Sequence, residues 1–127
     1  MNTVIISIGS NIQPEENISQ ALLILREHHT VVNESSISVT KPLGYFNQPD
    51  FHNGAVLLHT MMDFETLNSS LKEIENQLGR IRRANKNGPR TIDLDIVIWN
   101  GTVVDTDVKK RTFLRNAILE LLPDIDL

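Results

Sequence analysis

Asp93 and Asp95 stand two residues apart in GPRTIDLDIVIW, the run from Gly88 to Trp99. In an extended strand alternate side chains share a face, so both carboxylates point one way and Ile92, Leu94 and Ile96 the other. Carboxylates that close repel and titrate as a coupled pair unless positive charge lies between them. A divalent metal ion satisfies that need, and so does an arginine. Just before them, Arg80, Arg82, Arg83, Lys86 and Arg90 crowd into eleven residues with no acid among them. Carboxylates beside such a cluster suit Mg²⁺-bridged phosphoryl transfer. The acids hold the ion, the ion neutralises phosphate oxygens, and arginine forks stabilise charge developing in the transition state. Two plainer readings stay open. The acids can be an exposed pair bridged to Arg80 or Arg90, and the basic run a solvated helix end.

A second group lies in KPLGYFNQPDFHN, Lys41 to Asn53, a long connection that runs into a strand. Phe51 and Asn53 share a strand face. An aromatic ring beside a carboxamide suits a flat heterocycle, one stacking on it and the other offering a paired donor and acceptor. The alternative is that Phe51 is core and Asn53 a turn residue.

These groups need a scaffold, and the chain spells out a short one. TVIISIG, Thr3 to Gly9, is β-branched and ends in the turn signal GSN, which predicts the first strand. Pro14, Glu15 and Glu16 open a helix whose apolar face is Ile18, Leu22 and Leu25, with Ala21 and Leu23 nearby. Thr30 to Thr40 reads as a second strand, irregular near Asn33 to Ser36, and Lys41 to Asp50 as a loop. Phe51 to Met61 is a third strand in which Gly54 signals a bulge or a close backbone approach. A helix capped by Asp63 runs to about Arg83, with Leu67, Leu71, Ile74 and Leu78 at helical spacing. A polar basic loop leads to the fourth strand, Thr91 to Trp99. NGTVV then resembles a hairpin turn into a short strand, and Thr112 to Leu122 a last amphipathic helix. This order is that of an α+β ferredoxin-like sandwich: one antiparallel four-stranded sheet with helices packed on one face.

The 127 residues suit a single domain, 1–127, with 40% hydrophobic and 22% charged residues. No apolar run approaches the ~18 residues that span a bilayer, so no membrane partner is expected. The start MNTVIISIGSN lacks the basic lead and apolar stretch of a signal peptide, and cysteine is absent, so a cytoplasmic protein is expected. A formal charge of −4 argues against broad nucleic-acid binding.

Taken in order, GSN, TKPLGYFNQPDFHN, ENQLGRIR and GPRTIDLDI resemble the 6-hydroxymethyl-7,8-dihydropterin pyrophosphokinases of folate biosynthesis, from about Val4 to Val104. The resemblance implies transfer of pyrophosphate from ATP to the pterin hydroxymethyl oxygen, releasing AMP. It implies that Thr40, Leu43 (through its backbone) and Asn53 recognise the pterin edge while Phe51 stacks on the ring. Asp93 and Asp95 would bind two Mg²⁺ ions. Arg80, Arg82 and Arg90 would serve catalysis, and Glu75, Ile96 and Arg111 the nucleotide.

Two departures mark a shortened member. Asn87 stands where the family carries an aromatic residue before GPR. The Pro-His segment between the short strand and the last helix is missing: VVDTDV runs straight to KKRTFLRNAILELLP. Arg111 and Phe113 match the positions after that segment, so Phe113 can supply the missing stack. The chain also ends at Leu127, where typical members continue. These departures keep two alternatives in view. One is a pterin-binding relative with another reaction, such as aldolase-like chemistry using Lys41, Lys72, Tyr45 or His52. The other is a non-catalytic small-ligand module.

Overall fold

The computed structural model describes residues 1–42, 44, 47–79 and 91–127. Strand β1 (Asn2–Ser10) leads into helix α1 (Pro14–His28). Gln13 takes the left-handed conformation at φ 41°, and Pro14 fills the first helical turn, where its missing N–H is no loss. There follow β2 (Thr30–Glu34), β3 (Ser38–Thr40), β4 (Phe51–Thr60), α2 (Phe64–Gln77), β5 (Asp93–Trp99), β6 (Thr102–Val103), α3 (Asp107–Lys110) and α4 (Thr112–Leu121). The Asp63 side chain caps α2 by accepting from the Thr66 N–H at 2.8 Å. That helix stops at Gln77, short of the expected Arg83, before Gly79 at φ 83°.

The architecture is α+β, an open antiparallel sheet in the order β2-β4-β1-β5-β6, with β3 pairing the other end of β4. Its described residues form six strands where a four-stranded sheet was expected; one of the two added strands is a piece of the second strand and the other is the short hairpin strand expected from NGTVV. The expected strand Thr30 to Thr40 is split because Ser35 Oγ replaces a backbone carbonyl as acceptor for the Ala55 N–H, at 2.8 Å. The chain then steps away from β4 and rejoins it at Ser38. Gly54 lies under this step: a Cβ there would sit 2.7 Å from Ile37 Cδ1, the close approach that its place in a strand signalled. Glu120 of α4 holds the step by accepting from the Ser36 N–H at 3.0 Å and hydroxyl at 2.9 Å. The short hairpin strand follows the expected turn at Asn100–Gly101, where φ is 48° and 83°. This two-residue hairpin folds β6 back onto β5.

Helices cover both faces of the sheet, which corrects the expectation of helices on one. On one face α1 and α2 bury Ile18, Ala21, Leu25, Leu67, Leu71 and Ile74 against Val4, Ile6, Ile8, Val56, Leu58 and Leu94. On the other, α4 buries Leu114, Ala117, Ile118 and Leu121 against Ile5, Ala55, Leu57, Val97 and Ile98. The cause is visible in VIISI: β1 is apolar on both faces and must be covered on both. Strand β5 solves its own version of this problem with a bulge. Ile5 opposes Ile98 and Ile6 opposes Ile96, so Val97 is an extra residue. Val97 and Ile98 both enter the second core. Among the described residues no helix is long and apolar enough to cross a membrane.

Candidate active site

The α3–α4 layer covers only part of its face of the sheet, and beyond it lies a cavity of about 220 Å³. The pairing register fixes which side chains reach it. Asp93 lies opposite Gly9, and Gly9 opposite Asn53 on its other side; Asp95 lies opposite Ser7, and Ser7 opposite Ala55. Cross-strand partners share a face, so the aspartates and Asn53 look into one space across a floor made of Gly9 and Ser7. Two residues along β4, Phe51 pairs with Thr40 of β3. All of these except Ala55 line the cavity, joined by Asp107, Arg111 and Phe113 from the helical side.

The Asn53 carboxamide is pre-set. Asn53 Nδ2 donates to Thr40 Oγ1 at 2.6 Å, which fixes the carboxamide and leaves its oxygen toward Gly9. An added Cβ at Gly9 would lie 3.1 Å from Asn53 Oδ1, so the floor is bare because the carboxamide needs the room. Beneath this set, GSN works as an anchor. Ser10 Oγ donates to the Thr91 carbonyl at 2.6 Å, holding the approach to β5. Asn11 Nδ2 donates to Gln48 Oε1 at 2.8 Å and to the Pro49 carbonyl at 3.0 Å, holding the connection that precedes β4.

The aspartates are braced from the edge. Strand β6 pairs β5 only at Ile98 and Trp99, which leaves the outer edge at Leu94 to side chains of α2. Glu75, fully buried, accepts from the Leu94 N–H at 2.8 Å. Lys72 Nζ donates to the Leu94 carbonyl at 3.0 Å, to Glu75 Oε2 at 3.3 Å and to Asp95 Oδ1 at 3.4 Å. One helix thus supplies the donor and the acceptor that a neighbouring strand would.

The sequence-derived candidates therefore separate. Thr40, Phe51, Asn53, Asp93, Asp95, Arg111 and Phe113 come together in the cavity. Glu75 stands behind the strand, and Ile96 is buried in the core under α1 and α2. Leu43, Arg80, Arg82 and Arg90 lie outside the described residues, as do Arg83, Tyr45, Lys86 and Asn87. His52 faces away, lining a groove with Ile18 and Leu22 of α1, so strand alternation removes it from the cavity. Gly9, Ser7 and Asp107 were missed. A glycine inside a β-branched run is a signal for the first. Nothing in the sequence marks Asp107, whose Oδ2 lies 3.7 Å from Arg111 Nε across one turn of chain.

The donor set fits a hard divalent cation. Mg²⁺ takes one or two protein carboxylates and keeps its other positions for water and phosphate. Asp93 and Asp95 are two oxygen donors side by side at the cavity wall. Among the described residues no group of three or more ligating side chains is gathered.

The family model for 7,8-dihydro-6-hydroxymethylpterin-pyrophosphokinase (HPPK) matches residues 5–123. The 2-amino-4-hydroxy-6-hydroxymethyldihydropteridine pyrophosphokinase of Bacillus subtilis (strain 168) is 40% identical over 109 residues, 84% of this chain and 65% of that protein. The protein of the same name in Haemophilus influenzae is 31% identical over 138 residues, 100% of this chain and 86% of that one. The folic acid synthesis protein fol1 of Schizosaccharomyces pombe is 36% identical over 131 residues, 94% of this chain but 18% of a much longer protein. The chain thus spans just under two thirds of the Bacillus subtilis relative's length and less than a fifth of the yeast protein's. With the family model matched over nearly its whole length, the chain belongs to the 7,8-dihydro-6-hydroxymethylpterin-pyrophosphokinase family.

Proposed function

We propose that this protein transfers the pyrophosphoryl group of ATP to the hydroxymethyl oxygen of 6-hydroxymethyl-7,8-dihydropterin, a step of folate biosynthesis, and releases AMP. The observation that carries the proposal is the meeting, across Gly9 and Ser7, of a fixed ring-recognising set and a carboxylate pair in one cavity. In the reaction a bond forms between the acceptor oxygen and the β-phosphorus. The bond from that phosphorus to the bridging oxygen breaks, AMP keeps that oxygen, and the hydroxyl proton is released.

In this reading Thr40 and Asn53 hold the pterin edge together with the Leu43 backbone, and Phe51 and Phe113 cover the ring. Asp93 and Asp95 would hold two Mg²⁺ ions, which would neutralise phosphate oxygens and polarise the acceptor oxygen. Arg80, Arg82 and Arg90 stabilise charge on the moving group, and Arg111 reaches the nucleotide. Glu75 serves the nucleotide side indirectly, by fixing the Leu94 peptide. By alternation from Leu94, the Ile96 peptide faces the same outer edge of β5, so Ile96 meets the nucleotide through its backbone. The scaffold is read as one ferredoxin-like domain, its second strand in two pieces and a hairpin strand added. ATP as co-substrate accords with a cytoplasmic setting.

Among the described residues nothing lining the cavity favours aldol chemistry: Lys72 is engaged by three acceptors and His52 faces away. The test is an AMP assay with Mg²⁺, ATP and 6-hydroxymethyl-7,8-dihydropterin, with Asp95→Ala as control. AMP from the wild type alone supports the reading. No AMP from the wild type, or equal AMP from both, refutes it.

A further inference from the structure

Lys72 has more to do than brace a strand. Its ammonium has three N–H groups, and the three acceptors around it are the Leu94 carbonyl, Glu75 Oε2 and Asp95 Oδ1, at 3.0, 3.3 and 3.4 Å. The first two are structural, since Glu75 is fully buried and already committed to the Leu94 N–H. The third is not. Asp95 is 41% exposed at the cavity wall, and Lys72, itself 35% exposed, reaches it from α2 round the outer edge of β5. A monovalent cation therefore already occupies one oxygen of a carboxylate that, on the reading above, must take a divalent one. Two cations on one carboxylate repel each other, so the ammonium must give way or the ion must bind weakly.

We propose that Lys72 is a resident counter-ion that makes divalent-cation binding at Asp95 conditional on nucleotide. In the free protein the ammonium holds Asp95 Oδ1 and lowers its affinity for the ion. When a polyphosphate enters, its oxygens are stronger acceptors for the same ammonium. Lys72 then swings to them, keeping the Leu94 carbonyl and Glu75, and releases the aspartate to the metal. The two charges then no longer compete for one carboxylate. This device rests on the metal reading of Asp93 and Asp95, and it predicts a change of sign that a purely structural lysine does not give.

The experiment measures Mn²⁺ affinity by electron paramagnetic resonance, with Mn²⁺ alone and with α,β-methylene-ATP, whose carbon bridge blocks transfer. Wild type, Lys72→Gln, Lys72→Arg and Asp95→Asn are compared. Lys72→Gln keeps a donor for the Leu94 carbonyl but no charge. It is expected to tighten binding of Mn²⁺ alone by about fivefold, the scale of a half-exposed ion pair, and to weaken binding of Mn²⁺ with the analogue by a similar factor. Lys72→Arg is expected to follow the wild type. Unchanged or weakened binding of Mn²⁺ alone in Lys72→Gln overturns the proposal. Indifference of Mn²⁺ to Asp95→Asn overturns the metal reading beneath it, so the two failures are distinct. Should Lys72→Gln not fold, the wild-type Lys72 ammonium resonance decides. Movement on adding Mg²⁺ with the analogue supports the swing, and a signal unmoved by the analogue refutes it.

Discussion

Replacing Gly9 by alanine separates the recognition of the ring from the stability of the sheet. The glycine lies mid-sheet with φ outside the left-handed region, so alanine has no backbone objection. Its methyl group would stand 3.1 Å from Asn53 Oδ1, a few tenths of an ångström too close. The carboxamide must therefore tilt about the bond that holds it to Thr40 Oγ1. On the proposed function, that tilt misaligns the donor and acceptor offered to the heterocycle. Two hydrogen bonds at about 0.5–1.5 kcal/mol each are affected, and half their sum is about 1 kcal/mol. The dissociation constant for 6-hydroxymethyl-7,8-dihydropterin should rise about fivefold, and more if both bonds are lost. Folding should change little, since reduced chain entropy in the unfolded state contributes about 0.4–1 kcal/mol toward stability against the strain of the contact. Calorimetric titration with the pterin and a thermal melt on the same sample read both quantities. An unchanged pterin affinity would refute the assignment of the floor. A collapse of the melting temperature with affinity intact would mean that Gly9 serves packing alone.

Phe51→Leu keeps much of the apolar volume but removes the ring face, and should weaken pterin binding by about 1–3 kcal/mol while leaving the nucleotide affinity unchanged, read by titrating each separately. Leu71→Ala, in the core under α2, should destabilise the fold by about 2–5 kcal/mol, measured by urea unfolding at constant slope. The Thr66 N–H bonded to Asp63 holds that carboxyl below its ordinary 3.8, so its stabilisation is full above that value and fades as pH falls through the lower one. Asp63→Ala should therefore lower the melting temperature at pH 7 and make little difference at pH 2. Burial, then the neighbouring His28 charge, hold His29 below 6.5, so the unfolded chain takes up the proton first and stability falls as pH drops below that value. His29→Gln, which can keep the bond to Thr60 Oγ1, should flatten that acid slope in melts between pH 5 and 7.

Much of the scaffold was legible because local chemistry and long-range packing agree in it. Pro14 opens its helix, Asp63 caps its helix, and Asn100–Gly101 makes its hairpin, each by a mechanism contained in a few residues. The aspartate pair and the Phe51–Asn53 pair were legible for the same reason, since period-two alternation alone puts each pair on a face. What escaped needed partners distant in sequence. The irregularity near Asn33 to Ser36 was legible, but the full break of the second strand depends on Ser35 finding Ala55, and the second helical face on α4 finding Ala55 and Leu57. Glu75 shows the difference most plainly. It reads as one polar residue on an amphipathic helix, yet it is buried because a strand nineteen residues on offers it an unpaired N–H.

The bulge at Val97 has a consequence for how far a change in this chain can travel. A strand is a ratchet of period two: slip it by one residue and every side chain beyond the slip changes sides. Here the ratchet is already broken once, between the aspartates and the hairpin. Length added or lost at Asn100–Gly101 is therefore met first by β6 and the far side of the break, where apolar residues stand on both faces. The register of Asp93 and Asp95 is set separately, by Gly9 and Ser7 on one side and by Lys72 and Glu75 on the other. The hairpin is the place where this fold can be lengthened or spliced while the two acids keep their aim.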